Sequence, residues 1–402
     1  MAKESSIHIG IFGRRNCGKS SLINSITGQD IAIVSDIPGT TTDPVKKSIE
    51  ILGIGPCVVI DTAGIDDEGN LGKLRIKKTI QVIQHIDIAI LMIAYNQFGD
   101  YEKELISLFK KYKITFILIH NKNDIEKLNI ILQNQLQSEY NTSIIDVSLK
   151  NNNDTNSIIE IIKEAISTLH NKRKNLLEGL VSPKDIVLLV VPIDTEAPEG
   201  RLILPQVQTI RSLLDNHCIA ITLKETELAF FLNTTLIKPK IVITDSSIFN
   251  TVAKIIPLEI PLTGFSILLA RHKGPFSEYI KGVSKISNLK DGDKVLILES
   301  CTHQVSCDDI GRYKLPQWIK NYTGQNNIIF EVISGLGTIT RDITEYAIVI
   351  QCGGCMITEK QIFSRLKDAL DNNIPITNYG LAIAYLHGIF ERAIEPFKSL
   401  SL

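Results

Sequence analysis

One octapeptide limits the possible folds of this chain more than any other feature. Gly13-Arg-Arg-Asn-Cys-Gly-Lys19-Ser20 follows the apolar run Ile7–Phe12 and precedes a helix-like stretch, Ser21–Ile26. The pattern GxxxxGK[ST] between a strand and a helix is a phosphate-wrapping loop. Gly13 and Gly18 let the backbone turn its N–H groups inward, and the following helix offers its positive end to the same anion. Lys19 would bridge the β- and γ-phosphates and Ser20 would ligate Mg2+, with Ser21 beside it in the phosphate-contacting set.

Further motifs follow in the order such a site needs. The strand Val58–Ile60 runs into Asp61-Thr-Ala-Gly64, where Asp61 would hold the metal through water and the Gly64 amide would meet the γ-phosphate. Pro38–Asp43 lies between, placed as a switch segment, and Thr41 is the expected second hydroxyl on magnesium. After the strand Ile114–Ile119 comes Asn121-Lys122-Asn-Asp124. An aspartate there accepts both the ring N–H and the exocyclic amine of guanine, a pattern adenine does not offer. Ser148-Leu-Lys150, after the strand Ser143–Val147, supplies the last base-contacting loop. These elements together predict a GTP site.

Over about residues 5–170 the chain resembles the MnmE and Era type of GTPase. The resemblance implies a P-loop GTPase fold with a mainly parallel sheet. Where Ras-type enzymes carry a water-orienting glutamine this chain has Ile65, so hydrolysis is expected to be slow. Asn16 matches the asparagine that binds K+ in cation-activated relatives; its other reading is a loop residue capping its own backbone. The apolar stripe Ile158, Ile159, Ile161, Ile162, Ala165, Ile166 and Leu169 closes this part as a helix. The first domain is therefore set at 1–172, with a linker at about 172–182.

The 402 residues are enough for two or three domains. With 43 basic against 44 acidic residues, net −1, there is no basic excess of the kind a nucleic-acid partner favours. No apolar run reaches the roughly 18–20 residues of a membrane span, and the amino end lacks a signal peptide's pattern. A cytoplasmic protein without a membrane partner is expected. From about 183 a second α/β pattern begins: strand Ile186–Val191, helix Gln206–Asp215, strands Ile219–Leu223 and Ile241–Thr244. It gathers no catalytic constellation; Asp194, Glu196 and Glu199 read as a solvated loop. Residues 183–264 are thus expected to form a small α/β interaction module, best read as a homodimerisation domain. Residues 265–402 form a third α/β domain.

Seven cysteines are too few for a disulfide scaffold, but four crowd the last quarter. The strand Val295–Leu298 ends in Glu299-Ser-Cys301-Thr-His303, and Tyr346–Ile350 ends in Gln351-Cys352-Gly-Gly-Cys355. Both groups follow the carboxyl ends of apolar strands, where open α/β sheets assemble ligand sites. Cys301, Cys352 and Cys355 are candidate thiolate ligands of one metal centre. Zinc, with His303 as the fourth ligand, and a 4Fe–4S cluster with one accessible iron both suit that set. Glu299 could supply a weak oxygen ligand, and Cys307 is a further candidate.

The order of GTPase, small α/β domain and CxH…CxxC resembles the HydF family of FeFe-hydrogenase maturation GTPases, as do the segments 185–200, 308–311 and 375–380. The resemblance spans essentially the whole chain, with 47 residues (304–350) between His303 and Gln351. It implies a 4Fe–4S cluster on Cys301, Cys352 and Cys355, with the fourth position held weakly by Glu299, His303 or solvent. It further implies transient carriage of a diiron subcluster, with apo FeFe-hydrogenase and the radical SAM maturases as partners. One departure stands out: the family's histidine before CxxC is Gln351 here, and a neutral amide is a poor iron ligand. Two rival readings are a tRNA-modification or ribosome-assembly GTPase with a metal-stabilised accessory domain, and a redox sensor using CxxC as a disulfide switch.

Overall fold

The computed structural model describes residues 7–27, 45–51, 55–62, 79–150, 152–171, 175–193, 202–300, 309–335, 337, 339–398 and 400. The expected site residues Thr41, Gly64, Cys301 and His303 lie outside these residues, as do Ile65, Cys307 and the acidic loop 194–199. The chain divides into two compact units, Met1–Arg173 and Lys174–Leu402.

The first unit is built on strands β1 (Ile7–Gly13), β2 (Val45–Ile51), β3 (Gly55–Asp61), β4 (Ile88–Ala94), β5 (Thr115–Asn121) and β6 (Ile144–Asp146). They form one sheet in the order β2-β3-β1-β4-β5-β6, parallel except for β2, which runs antiparallel to β3. Every residue of β4 is buried, as expected of a parallel strand covered on both faces. One face packs Ile9 and Ile11 of β1 against Ile158, Ile162 and Ile166 of the helix Asn152–Asn171. The other packs Phe12 against Leu105, Ile106 and Phe109 of the helix Asp100–Lys111. Successive residues of β1 thus feed opposite layers, which makes the sheet doubly wound and sets its phosphate loop at the carboxyl edge.

The second unit holds two parallel four-stranded sheets. Strands β7 (Ile186–Val190), β8 (Ile219–Leu223), β9 (Ile241–Thr244) and β10 (Leu262–Gly264) take the order β10-β9-β7-β8. Strands β11 (Lys294–Leu298), β12 (Ile329–Ile333), β13 (Ile348–Gln351) and β14 (Ile376–Asn378) take the order β12-β11-β13-β14. Leu296 and Leu298 of β11 join Val187–Val190 in one shared core, whereas Val295 and Ile297 pack with Leu315 and Ile319 on the opposite face. Among the described residues no helix is long and apolar enough to cross a membrane.

Candidate functional site

The phosphate loop is shaped by three residues of positive φ: Gly13 (142°), Asn16 (63°) and Gly18 (101°). A Cβ on Gly13 would lie 2.3 Å from the Met92 carbonyl oxygen, and one on Gly18 would lie 2.2 Å from Asn121 Nδ2. Only glycine fits either place. Asn16 takes the left-handed conformation that asparagine tolerates best among side-chain-bearing residues. Lys19 is buried, its Nζ donating to the carbonyls of Gly13 (2.8 Å) and Arg14 (2.7 Å). Arg14 in turn grips Glu102 with two hydrogen bonds of 2.7 and 2.9 Å. That carboxylate is fully buried and also accepts from Gly99 N–H, so the loop is tied to the start of the helix Asp100–Lys111.

Strand β3 ends at Asp61, and Ser20 Oγ donates to Asp61 Oδ2 at 3.4 Å. Two residues separated by 41 positions therefore meet where a magnesium ion would need a hydroxyl and a carboxylate. Burial raises the Asp61 carboxyl above the ordinary carboxylate range, with Lys19 and Ser20 pulling against it. Its second oxygen, Oδ1, is buried without a hydrogen-bond partner among the described residues. A carboxylate with one oxygen on a serine hydroxyl and the other without a partner among the described residues suits a hydrated divalent cation.

The base end is equally assembled. Asn121 donates from Nδ2 to the Cys17 carbonyl (2.9 Å) and accepts from Leu149 N–H at Oδ1 (3.2 Å), joining the phosphate loop to the Ser148 loop. Asp124 accepts from Ser148 Oγ at 2.9 Å and from Lys150 Nζ at 2.7 Å. These bonds hold its carboxyl below the ordinary range. Lys122 lies over the Tyr95 ring, 4.7 Å from its centroid, leaving the lysine stem along one wall. A cleft of about 570 Å³ joins both ends, lined by Asn16, Lys19, Lys122, Asp124 and Ser148 among others. Ser21 also borders it. Sequence reasoning missed Tyr95, Arg14 and Glu102, whose contacts are long-range.

In the second unit β11 and β13 are parallel neighbours with Leu298 opposite Gln351. The Cys352 N–H donates to the Leu298 carbonyl at 2.9 Å, prolonging the ladder by one step. Cys352 Sγ then lies 3.1 Å from the Ser300 amide nitrogen and 2.8 Å from Ser300 Oγ. Gly354 has φ +66°, and a Cβ there would fall 2.6 Å from Ile362 Cδ1. Lys273 Nζ donates to the carbonyls of Gly354, Cys355 and Ile357 at 3.1 to 3.3 Å, clasping the CxxC loop from beneath. Among the described residues Cys352 and Cys355 form no disulfide, and both are partly accessible.

Glu299, the possible fourth ligand two residues before Cys301, has its carboxylate engaged by neighbours. Its carboxylate accepts from Arg312 Nε (3.3 Å) and Nη2 (3.1 Å) and from Ser334 Oγ (2.6 Å). Its carbonyl accepts from Arg365 Nη1 at 2.8 Å, and burial lowers the Arg365 pKa. Among the described residues no three His, Cys, Asp or Glu side chains gather in a metal-holding group. The Cys352 donor set nonetheless fits an anionic sulfur, as a metal-bound thiolate is.

Fold and cleft together define a P-loop GTPase domain joined to a two-sheet α/β platform. The 50S ribosome-binding GTPase family matches residues 8–122, the Hydrogen maturase F dimerization domain matches 176–274, and the Hydrogen maturase F tetramerization domain matches 277–396. The chain belongs to the hydrogen maturase F family. It is 32% identical over 166 residues to the tRNA modification GTPase MnmE of Caldicellulosiruptor saccharolyticus, covering 41% of this chain and 35% of that protein. It is 38% identical over 125 residues to the GTPase Der of Wolinella succinogenes, covering 30% and 26%. The chain thus spans about a quarter to a third of the length of these curated relatives. A crystal structure of Aquifex aeolicus Era bound to GDP and AlF4- aligns with a TM-score of 0.33 and 17% identity, over 54% of this chain and 92% of that one.

Proposed function

We propose that this protein is a GTP-hydrolysing scaffold that binds a 4Fe–4S cluster and assembles or delivers a diiron subcluster precursor to apo FeFe-hydrogenase. The observation that supports the reading is one chain holding both a cleft lined by the phosphate loop, Asn121, Asp124 and Ser148 and a cysteine sulfur cradled by donors at a sheet's carboxyl edge. Lys19 and the loop amides would hold the phosphates, Ser20, Thr41 and Asp61 the Mg2+, and Gly64 the γ-phosphate. Asn121, Lys122, Asp124 and Ser148 would hold the base. Asn16 would bind K+, and with Ile65 at the water-orienting position turnover would be slow and stimulated by potassium. Replacing K+ with Na+ should lower the rate several-fold; equal rates would rule that part out.

Cys301, Cys352 and Cys355 would hold the cluster, with Glu299, His303 or solvent at the fourth iron. The bound cluster supplies one exchangeable iron site to which a diiron precursor can attach. The protein's residues orient the three sulfurs and leave that fourth position weakly held. GTP and GDP, binding the segment around Thr41 differently, would change contacts with apo-hydrogenase and the radical SAM maturases. Residues 183–264 would serve as the homodimerisation module and 265–402 as the cluster platform, in a cytoplasmic protein.

Anaerobic iron and sulfide reconstitution followed by EPR of the reduced protein tests the scaffold reading. A 4Fe–4S signal lost on replacing Cys301, Cys352 or Cys355 is expected, and its absence from the wild-type protein would falsify it. The relatedness to MnmE and Der favours a second reading, a tRNA-modification or ribosome-assembly GTPase with a metal-stabilised accessory domain. GTP-dependent binding to tRNA or ribosomal subunits, with no transferable iron, would favour it.

A further inference from the structure

We infer that Ser300 and Gln351 are positioning residues for the Cys352 sulfur, forming a hydrogen-bond relay that sets how readily a cluster held there accepts an electron. The inference rests on the cluster reading above, and assigns a role to the glutamine that stands where relatives are expected to carry histidine.

The relay follows from strand register. β11 and β13 run parallel with Leu298 opposite Gln351, so the next residues of both chains stay side by side past the sheet edge. Ser300 is 5% exposed and Gln351 fully buried. Ser300 N–H donates to Cys352 Sγ at 3.1 Å, and Ser300 Oγ lies 2.8 Å from the same sulfur. Gln351 Nε2 donates to Ser300 Oγ at 3.0 Å, and lies 3.5 Å from Cys352 Sγ itself. In the neutral protein the thiol donates to the serine hydroxyl. Once the sulfur is an anion, the hydroxyl proton turns toward it, and Gln351 fills the hydroxyl's acceptor lone pair.

Two details argue that the arrangement is made for an anionic sulfur. Gln351 spends its amide N–H groups on Ser300, the Cys352 carbonyl and the sulfur, while its Oε1 is buried with no partner among the described residues. The opposite amide orientation would satisfy Oε1 from the serine hydroxyl but turn a carbonyl oxygen toward the sulfur. A neutral thiol, a weak donor and weak acceptor, gives little return for leaving a buried amide oxygen without a partner among the described residues. A thiolate does, because bonds to an ionised acceptor are roughly twice as strong. Asn378 fixes the same stretch from the other side, donating to the carbonyls of Gln351 (3.3 Å) and Cys352 (3.2 Å).

The sign of the effect is fixed by charge. Adding an electron to an iron–sulfur centre increases the negative charge on its sulfurs, and hydrogen bonds to those sulfurs stabilise the reduced form. Removing a donor therefore makes reduction harder. Losing one charge-assisted bond should shift the one-electron reduction equilibrium about tenfold, equivalent to about 59 mV at 25 °C.

The test is a mediator-monitored EPR titration of anaerobically reconstituted full-length wild type, S300A, S300T and Q351E, with iron and sulfide counted for each. S300A should be about tenfold harder to reduce, Q351E at least as much, and S300T should stay close to wild type because it keeps the hydroxyl. A deuteron coupling seen after exchange into D2O should weaken in S300A and persist in S300T. Wild-type potential and coupling in both S300A and Q351E overturn the relay. So does a variant that folds, judged by circular dichroism, yet takes up less iron than wild type, since donor loss is expected to retune the site without emptying it. A wild-type protein that takes up no cluster fails the underlying scaffold reading instead, and the two failures are separated by the first column of iron counts.

Discussion

Asn121 offers the sharpest test of how the cleft is held together. Its side chain is 3% exposed and spans two loops, donating to the Cys17 carbonyl at 2.9 Å and accepting from Leu149 N–H at 3.2 Å. Gly18 packs so closely that a Cβ there would lie 2.2 Å from Asn121 Nδ2. N121A removes both bonds and leaves one carbonyl and one amide short of those partners. At about 1–2 kcal/mol for each, the loss is about 2–4 kcal/mol, which corresponds to roughly 30- to 1,000-fold in affinity if it falls on the nucleotide-binding geometry. The informative assay compares GTP with inorganic tripolyphosphate, which reports the phosphate loop alone, by calorimetry in Mg2+. Because Asn121 ties the base loop to the phosphate loop, N121A should weaken both ligands. D124A, which alters only the base end, should weaken GTP and spare tripolyphosphate. Unchanged tripolyphosphate binding in N121A would show that Asn121 acts on the base alone, and the coupling argued from these distances would be wrong.

Three further outcomes are expected. D124N should lose about 100-fold in GTP affinity, about 2.7 kcal/mol, and gain affinity for xanthosine triphosphate, measured by competition. Lys150 and Ser148 lower the Asp124 pKa, so its carboxylate persists as pH falls through the ordinary range near 3.9. The stability this contributes is present above the unfolded value and lost as pH drops through the folded one. Carboxyl NMR titration should place that midpoint below an unpaired aspartate's, and K150M should move it up. G354A should destabilise by about 1 kcal/mol for the left-handed backbone plus about 1–3 kcal/mol for overpacking against Ile362. Adding I362V should recover only the second part in urea denaturation, and full recovery would contradict the backbone argument.

What the sequence made legible was whatever a short motif carries with it. The spacing of Gly13, Gly18, Lys19 and Ser20 is dictated by how a backbone must wrap a phosphate, so the loop, its strand and its helix could all be read from eight residues. Asn121, Asp124 and Ser148 follow strands at fixed offsets for the same reason, and the structure brings them to one cleft. Contacts set by tertiary packing were not legible. Arg14 finds Glu102 across 88 positions, and Lys273 reaches the CxxC loop across more than 80. Strands β12 and β14 are five and three residues long, flanking a sheet whose central strands alone carry a strong apolar signal.

Glu299 shows how much besides proximity in sequence bears on such a site. Two residues from Cys301, it invites a reading as a ligand, because a carboxylate near thiolates is a plausible oxygen donor. Yet a buried carboxylate must be compensated before it can do anything else, and the chain supplies Arg312 and Ser334 for that purpose from 13 and 35 positions away. Ser300 has neither charge nor metal-binding habit to mark it in the sequence, yet register places its amide and hydroxyl beside the Cys352 sulfur. Residue type proposes ligands. Sheet register and packing decide which groups lie where, and here they give the charged residue Arg312 and Ser334 as partners and make the neutral pair, Ser300 and Gln351, the groups that face the Cys352 sulfur.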